Sequence, residues 1–411
     1  MEKFELVKVS ELLSKYFKSN VEIQEKNVKL LTSPGEHYGS IILKVDMLVK
    51  INGVLRNLNL VAKQIPVSEL LQKAFDVLVT FKKENFAYTV TIPTLIEFQK
   101  EFNFLEEKLL TCFPECFGSR FNLHGNNDVV DRNAVLLFEN LKDQGYETMD
   151  RLVGFDSQGA DVVLQDLARF HAVPIALKQL RPDVFEEKVM PGLVRHRGPE
   201  QLGTEVIDVF HNSIMKAARQ CEELTPYLDR MQKVVDYCAV NPYIIRPEPS
   251  KHYGTIAHCD VWTSNIMVLK DDDGKITKSK ILDFQLTNYS SPIRDLIFFL
   301  FTSVQNDVLE KNLDHFIKLY YASFIDTLKY FGIDMDPYSW DNFNKELNAV
   351  APDEVYHVLM MLKIICSQRG KVTNTLDHFE LTDWTREDLI GEDHRQKMKN
   401  TVLAFASRNW I

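Results

Sequence analysis

The run His258-Cys259-Asp260-Val261-Trp262-Thr263-Ser264-Asn265, followed by Ile281-Leu282-Asp283-Phe284-Gln285, sets a carboxylate, an amide and a second carboxylate in the order that phosphoryl transfer uses. In the pattern His-x-Asp-x-x-x-x-Asn, the Asp accepts the proton of an attacking hydroxyl and the Asn turns its amide oxygen toward a magnesium ion. Asp260 is then the candidate base, and Asn265 with Asp283 the candidate metal ligands. Transfer of a γ-phosphoryl group asks the protein for charge neutralisation more than for covalent chemistry, so hard oxygen ligands for Mg²⁺ are the residue types it needs. His258 reads as a structural residue that holds the loop through a ring nitrogen, not as a proton carrier.

The elements around these residues must bring them together. Ile266-Met267-Val268-Leu269 and Lys280-Ile281-Leu282 are β-rich and flank the turn Asp271-Asp272-Asp273-Gly274. A hairpin there would set Asn265 and Asp283, eighteen residues apart, at neighbouring strand ends. Further upstream, the apolar runs 39–49 and 58–63 are separated by Asn52-Gly53, a hairpin signal. Leu71, Phe75, Leu78 and Phe81 then follow at helical spacing, predicting a helix from Leu70 through Tyr88. Strand, strand, helix is the order of a kinase small lobe, which needs a strand lysine for the α/β-phosphates and a helix Glu to hold it. Lys63 is the candidate lysine and Glu84 its candidate partner, with Glu69 and Asp76 also available. Gly35, Gly39 and Ser40, before the first of these strands, offer backbone N–H groups to phosphate although the segment lacks a full Gly-x-Gly-x-x-Gly.

The strand Ala134 to Phe138 ends in Glu139-Asn140-Leu141, where a hinge is expected. Beyond it the pattern turns helical: Asp161 to Ala172, a long stretch from Thr204 through Leu224, a second helix starting at Pro226, and Val308 to Phe331 stopped by Gly332. The expected class is α+β, a bilobal protein-kinase-like fold. Residues 1–138 form a small β-rich N-lobe and residues 139–411 a larger, mainly helical C-lobe carrying the catalytic hairpin. Asp295 reads as a cap or loop anchor for the helix it begins, and His171 as a satisfied core histidine.

At 411 residues the chain suits two lobes more than one core. Its net charge of −10, from 48 basic and 58 acidic residues, and the lack of a basic run argue against a nucleic-acid partner. No apolar run reaches the length of a membrane span. The acidic N-terminus is unlike a signal peptide, which predicts a cytoplasmic protein. Six dispersed cysteines predict reduced thiols.

Pro34-Gly35 with Gly39-Ser40, Lys63-Gln64-Ile65-Pro66, Leu137 to Leu141, Leu167 to Ala172, His258 to Met267 and Asp283-Phe284-Gln285 resemble, in order, the ecdysteroid kinase-like family, a branch of the choline/aminoglycoside kinase-like superfamily. Trp262 and Gln285 are the most specific parts of the match, which covers roughly residues 30 to 330. The resemblance implies ATP and Mg²⁺ as cofactors and phosphorylation of a small-molecule alcohol, for ecdysteroid kinases a steroid hydroxyl. It also implies that Glu139 and Leu141 lend backbone groups to adenine. One residue departs: the family usually has Gly where this chain has Cys259. Two other readings stand beside it, an inactive nucleotide- or ligand-binding pseudokinase and a choline- or aminoglycoside-type kinase. A protein kinase is disfavoured, because Asp283-Phe284-Gln285 leaves no room for an activation loop before Pro292. Neither the acceptor alcohol nor the oligomeric state can be read from the sequence.

Overall fold

Asn52 and Gly53 both take positive φ, 50° and 81°, the arrangement whose twist matches the two strands it joins. The structure is a computed structural model and describes residues 6–31, 40–197, 204–240, 249–367, 386 and 391–411. Around that turn β2 (Ile41–Ile51) pairs with β3 (Val54–Gln64), and β1 (Val21–Leu30), β4 (Cys116–Arg120) and β5 (Val135–Glu139) complete an antiparallel sheet in the order β1-β2-β3-β5-β4. Alternation splits the sheet between two cores. Val135 and Leu137 pack with Leu43, Val45 and the helix α1 (Val9–Phe17), whereas Leu136 and Phe138 face the core shared with the helices that follow.

The helix expected from Leu70 to Tyr88 is broken. α2 (Glu69–Ala74) ends at Phe75, Asp76 adopts φ 47°, and the chain restarts as α3 (Val77–Phe86), a π-helical turn (Ala87–Thr91) and α4 (Ile92–Glu101). Apolar spacing cannot register a left-handed residue between two helices, and Leu78, counted in the apolar stripe, is exposed.

The remaining chain is mainly helical: α5 (Ser157–Leu180), α6 (Pro182–Lys188), α7 (Thr204–Arg219), α8 (Leu228–Val240), α9 (Ile293–Ser303), α10 (Asn306–Tyr330), α11 (Trp340–Ile365) and α12 (Glu392–Ser407). The stretch expected to stay helical from Thr204 to Leu224 stops at Arg219 and continues as a 3₁₀ segment, Glu222–Tyr227, which contains Pro226; α8 starts at Leu228, not at Pro226. Cys221 and Leu224 stay buried, so the apolar period persists while the backbone tightens. Two small ladders are set among the helices: β7 (Thr255–Ala257) with β10 (Asn288–Ser290), and β6 (Glu147–Thr148) with the hairpin β8 (Ile266–Lys270) and β9 (Ile276–Ile281). The fold is thus α+β and bilobal, of the protein-kinase-like type. Among the described residues no helix is long and apolar enough to cross a membrane, and no disulfide joins any of the six cysteines.

Candidate active site

Lys63 sits near the end of β3 at a position facing the core and is 5% exposed. Its ammonium lies 2.6 Å from Glu84 Oε2 of α3 and donates to Asp283 Oδ1 at 2.7 Å. A strand lysine, a helix carboxylate and the carboxylate after β9 therefore meet, although 220 residues separate Lys63 from Asp283. Burial alone would lower the Lys63 pKa, but Asp283 and Glu84 more than offset it and hold it above the ordinary value. Glu84 is pulled in opposite directions: burial pushes its carboxyl up to about 7 while Lys63 draws it down.

Asp260, Asn265 and Asp283 converge through the β8–β9 hairpin. Ile266 pairs with Ile281, and Leu282 N–H donates to Asn265 O at 2.8 Å, which puts Asn265 and Asp283 side by side. Asn265 Nδ2 donates to both the backbone carbonyl and the carboxylate Oδ2 of Asp260, each at 2.9 Å. With both amide hydrogens spent on Asp260, Asn265 Oδ1 is left to serve as an acceptor or metal ligand. Burial and the nearby Asp283 raise the Asp260 pKa well above the ordinary value, against bonds from the Asn265 and Trp262 side chains. Asp283 itself takes φ 68°. The Phe284 ring beside it is wedged between Tyr88, Phe113 and Phe170, with centroids 5.3–5.7 Å away.

The loop carrying Asp260 is held from below by Asp295. Of the two expected roles, cap or loop anchor, the geometry gives the second, since the N-cap of α9 is Pro292. Asp295 Oδ2 accepts His258 N–H at 2.5 Å and His171 Nε2–H at 2.9 Å, and its Oδ1 accepts Cys259 N–H at 2.8 Å. With the loop's own amides to bind, its carboxylate anchors a segment thirty-six residues upstream. His171 Nδ1 in turn accepts the Tyr320 hydroxyl at 2.7 Å, so the core histidine is fully paired. His258 Nδ1 accepts Asp260 N–H at 3.2 Å and its Nε2–H donates to Leu282 O at 2.8 Å, binding the Asp260 loop to the strand end before Asp283. Burial lowers the His258 pKa, consistent with a neutral ring doing structural work. Cys259 sits between these anchors at φ 65°.

The other expected site residues are placed as follows. Gly35 and Gly39 lie outside the described residues; Ser40 is buried at the entry to β2. Glu139 ends β5, and its N–H donates to Glu115 O at 3.0 Å. Leu141 begins a 3₁₀ turn and its carbonyl accepts Tyr146 N–H. Two residues near the site have roles that the sequence reading did not give. Tyr320 orients His171 from α10 and carries no local signal of it. Lys83, next to Glu84, is 1% exposed, and its ammonium has no hydrogen-bond partner among the described residues. A lysine on an apolar helix face was the available sign.

The sequence profile of the ecdysteroid kinase-like family matches residues 34–333. The chain belongs to that family. A search of curated protein sequences returns no significant match. Among solved structures this ecdysteroid kinase-like chain is similar to a choline kinase from Cryptosporidium parvum (8% identity, 94% of this chain and 91% of that one, TM-score 0.42). It is also similar to an ethanolamine kinase from Plasmodium vivax (10% identity, 93% and 83%, TM-score 0.40). A third is a GDP complex of an aminoglycoside 2′-phosphotransferase (13% identity, 98% and 100%, TM-score 0.39). Family membership supports a phosphotransferase of the small-molecule kinase type.

Proposed function

We propose that this chain transfers the γ-phosphoryl group of ATP, with Mg²⁺, to a hydroxyl of a small-molecule alcohol, an ecdysteroid or another sterol alcohol. The observation that carries the reading is the convergence of Lys63, Glu84 and Asp283 beside the Asp260–Asn265 pair, at 2.6–2.9 Å contacts. Asp260 accepts the proton of the attacking hydroxyl, and its bond from Asn265 fixes the carboxylate's direction. Lys63, held by Glu84, binds the α/β-phosphates. On this reading the lobe boundary follows Phe138, with residues 1–138 and 139–411 on either side, and adenine meets the Glu139 carbonyl and the Leu141 amide at the hinge.

The residues fit a magnesium ion. Asn265 Oδ1 and the Asp283 carboxylate are hard oxygens on adjacent strand ends, and Mg²⁺ takes one or two such protein ligands together with phosphate oxygens and water. When bound, the ion neutralises charge on the β- and γ-phosphate oxygens. The chain's own part is to hold Asp283 through Lys63 and to keep the Asn265 oxygen pointed away from Asp260. The acceptor class follows the family's name, and retention of every catalytic residue type argues against an inactive nucleotide-binding protein.

The test is to incubate the purified chain with γ-labelled ATP and Mg²⁺ against sterol, choline-like and amino-sugar alcohols and to identify labelled products by mass spectrometry. A phosphorylated sterol supports the reading. Transfer only to choline-like or sugar alcohols would replace the acceptor class, and no transfer to any alcohol would remove the enzymatic reading.

A further inference from the structure

Between the segment preceding β7 and the first turns of α11 lies an open cavity of about 450 Å³. Its walls include Ser250, His252, Tyr253, Asn342, Lys345 and Glu346. Two polar atoms there, Tyr253 OH and Glu346 Oε1, have no hydrogen-bond partner among the described residues. The two residues are 4% and 8% exposed. A carboxylate oxygen withdrawn from bulk water without a partner loses hydration that the fold does not return, so the fold alone does not account for it.

The cavity is built, not incidental. The Tyr253 ring is stacked on Phe324 (centroids 6.3 Å apart, 14° between planes) and meets Tyr338 edge-on at 5.4 Å, which fixes where its hydroxyl points. Glu346 follows Phe343 by three positions on α11, and Phe343 also touches the Tyr253 ring. The neighbouring cation, Lys345, is exposed, and its ammonium is drawn to Asn342 Oδ1 at 3.5 Å. Burial, and behind it the Glu346 carboxylate, raise the Tyr253 pKa, so the phenol keeps its proton and can donate as well as accept.

None of these wall residues belongs to the Lys63–Asp260–Asp283 constellation. Tyr253 lies in the turn two residues before β7 and His258 follows the strand's last residue, so the whole of β7 stands between the cavity and the Asp260 loop. A carboxylate oxygen that can only accept, a phenol and flanking rings, in a volume within the usual range for small ligands, match a ligand that offers N–H donors and positive charge. We propose that this cavity is a second binding site, separate from the catalytic cleft, for a small organic ammonium compound whose N–H groups pair with Glu346 Oε1 and whose body lies against Tyr253. The proposal does not depend on the phosphotransferase reading.

Isothermal titration of the full chain, without nucleotide, tests it with benzylamine against the similarly sized benzyl alcohol and phenylacetate. Saturable binding of benzylamine alone is expected, weakened at least about tenfold in Glu346→Gln and by a smaller factor in Tyr253→Phe. Circular dichroism melts establish that each variant is folded, and Tyr253→Phe, which removes one oxygen, carries the test if Glu346→Gln does not fold. Asp260→Asn, altered only in the cleft, is expected to bind benzylamine like the wild type. The proposal is overturned by no saturable binding, by equal binding of benzyl alcohol, by unchanged affinity in the folded variants, or by loss of binding in Asp260→Asn.

Discussion

Asp295 Oδ1 accepts the backbone N–H of Cys259 at 2.8 Å and holds that residue at φ 65°, in the left-handed region. The geometry explains why a glycine is usual at this position and why a cysteine is tolerable: two N–H groups of one loop must reach one carboxylate, and the turn that allows it costs a side-chain-bearing residue roughly 1–2 kcal/mol. Cys259→Gly is therefore expected to keep kcat within a few-fold of wild type and to melt no lower. Cys259→Val, β-branched and ill-suited to that φ, should lose about 2 kcal/mol of stability. Thermal melts and steady-state kinetics of the two variants check this, and a Gly variant slowed by more than about a hundredfold would show that the thiol participates.

Asp295 acts through the loop, not on substrate. Burial works to raise its pKa, but His171 and His258 hold it below the ordinary carboxylate value, so it is an anion receiving three N–H donors. Asp295→Asn puts an amide NH₂ where one of those donors arrives. Displacing Asp260 in this way should lower kcat about 10–100-fold while leaving the KM for ATP near its wild-type value. Equal loss in both parameters, or none, would reduce Asp295 to a core residue.

Much of this site was legible because its residues are spaced along continuous segments. The His258-to-Asn265 run and the Asp283 strand end name groups that the fold brings together, and Asn52-Gly53 names its hairpin. The relationships that escaped are those made across the fold. Asp295 could be read from its position as a cap or a loop anchor, but not which amides it would take; they lie thirty-six and thirty-seven residues upstream. The left-handed Asp76 left no apolar signature between α2 and α3. The edge strand β1 passed unnoticed since most of its side chains are exposed and polar, with little alternation to read.

Lys83 gives the protein a defined response to alkali. Burial lowers its pKa from 10.5 to about 8, against the opposing pull of Cys259 and Asp76. Because the folded value lies below the unfolded one, the charged form burdens the folded state below pH 8, and between the two values the unfolded chain binds the extra proton. Stability should therefore rise with pH across that window. Lys83→Met is expected to be more stable at pH 7, by up to roughly 3 kcal/mol, and to lose Lys83's share of the alkaline rise. Urea unfolding of both proteins between pH 7 and 10 checks it; an unchanged slope would contradict the assignment.

Arg294 and Glu354 form an ion pair buried between α9 and α11, with His357 Nδ1 3.1 Å from the second carboxylate oxygen. Arg294→Met removes the main cation and leaves the carboxylate in the interior. A loss of about 3–5 kcal/mol is expected, read from the denaturation midpoint. A loss below about 1 kcal/mol would place the pair among the weak ones.

In the proposed reaction Asp260 takes the hydroxyl proton while Asp283 holds the metal, and one comparison separates the two roles. Asp260→Asn and Asp283→Ala are assayed side by side for γ-phosphoryl transfer to the best alcohol and for Mg²⁺-ATP affinity by calorimetry. Asp260→Asn should lose about 10²–10⁴-fold in kcat and bind Mg²⁺-ATP nearly as the wild type does, whereas Asp283→Ala should lose both turnover and metal-dependent nucleotide affinity. Near wild-type turnover in Asp260→Asn, or unweakened metal-dependent binding in Asp283→Ala, would contradict the account.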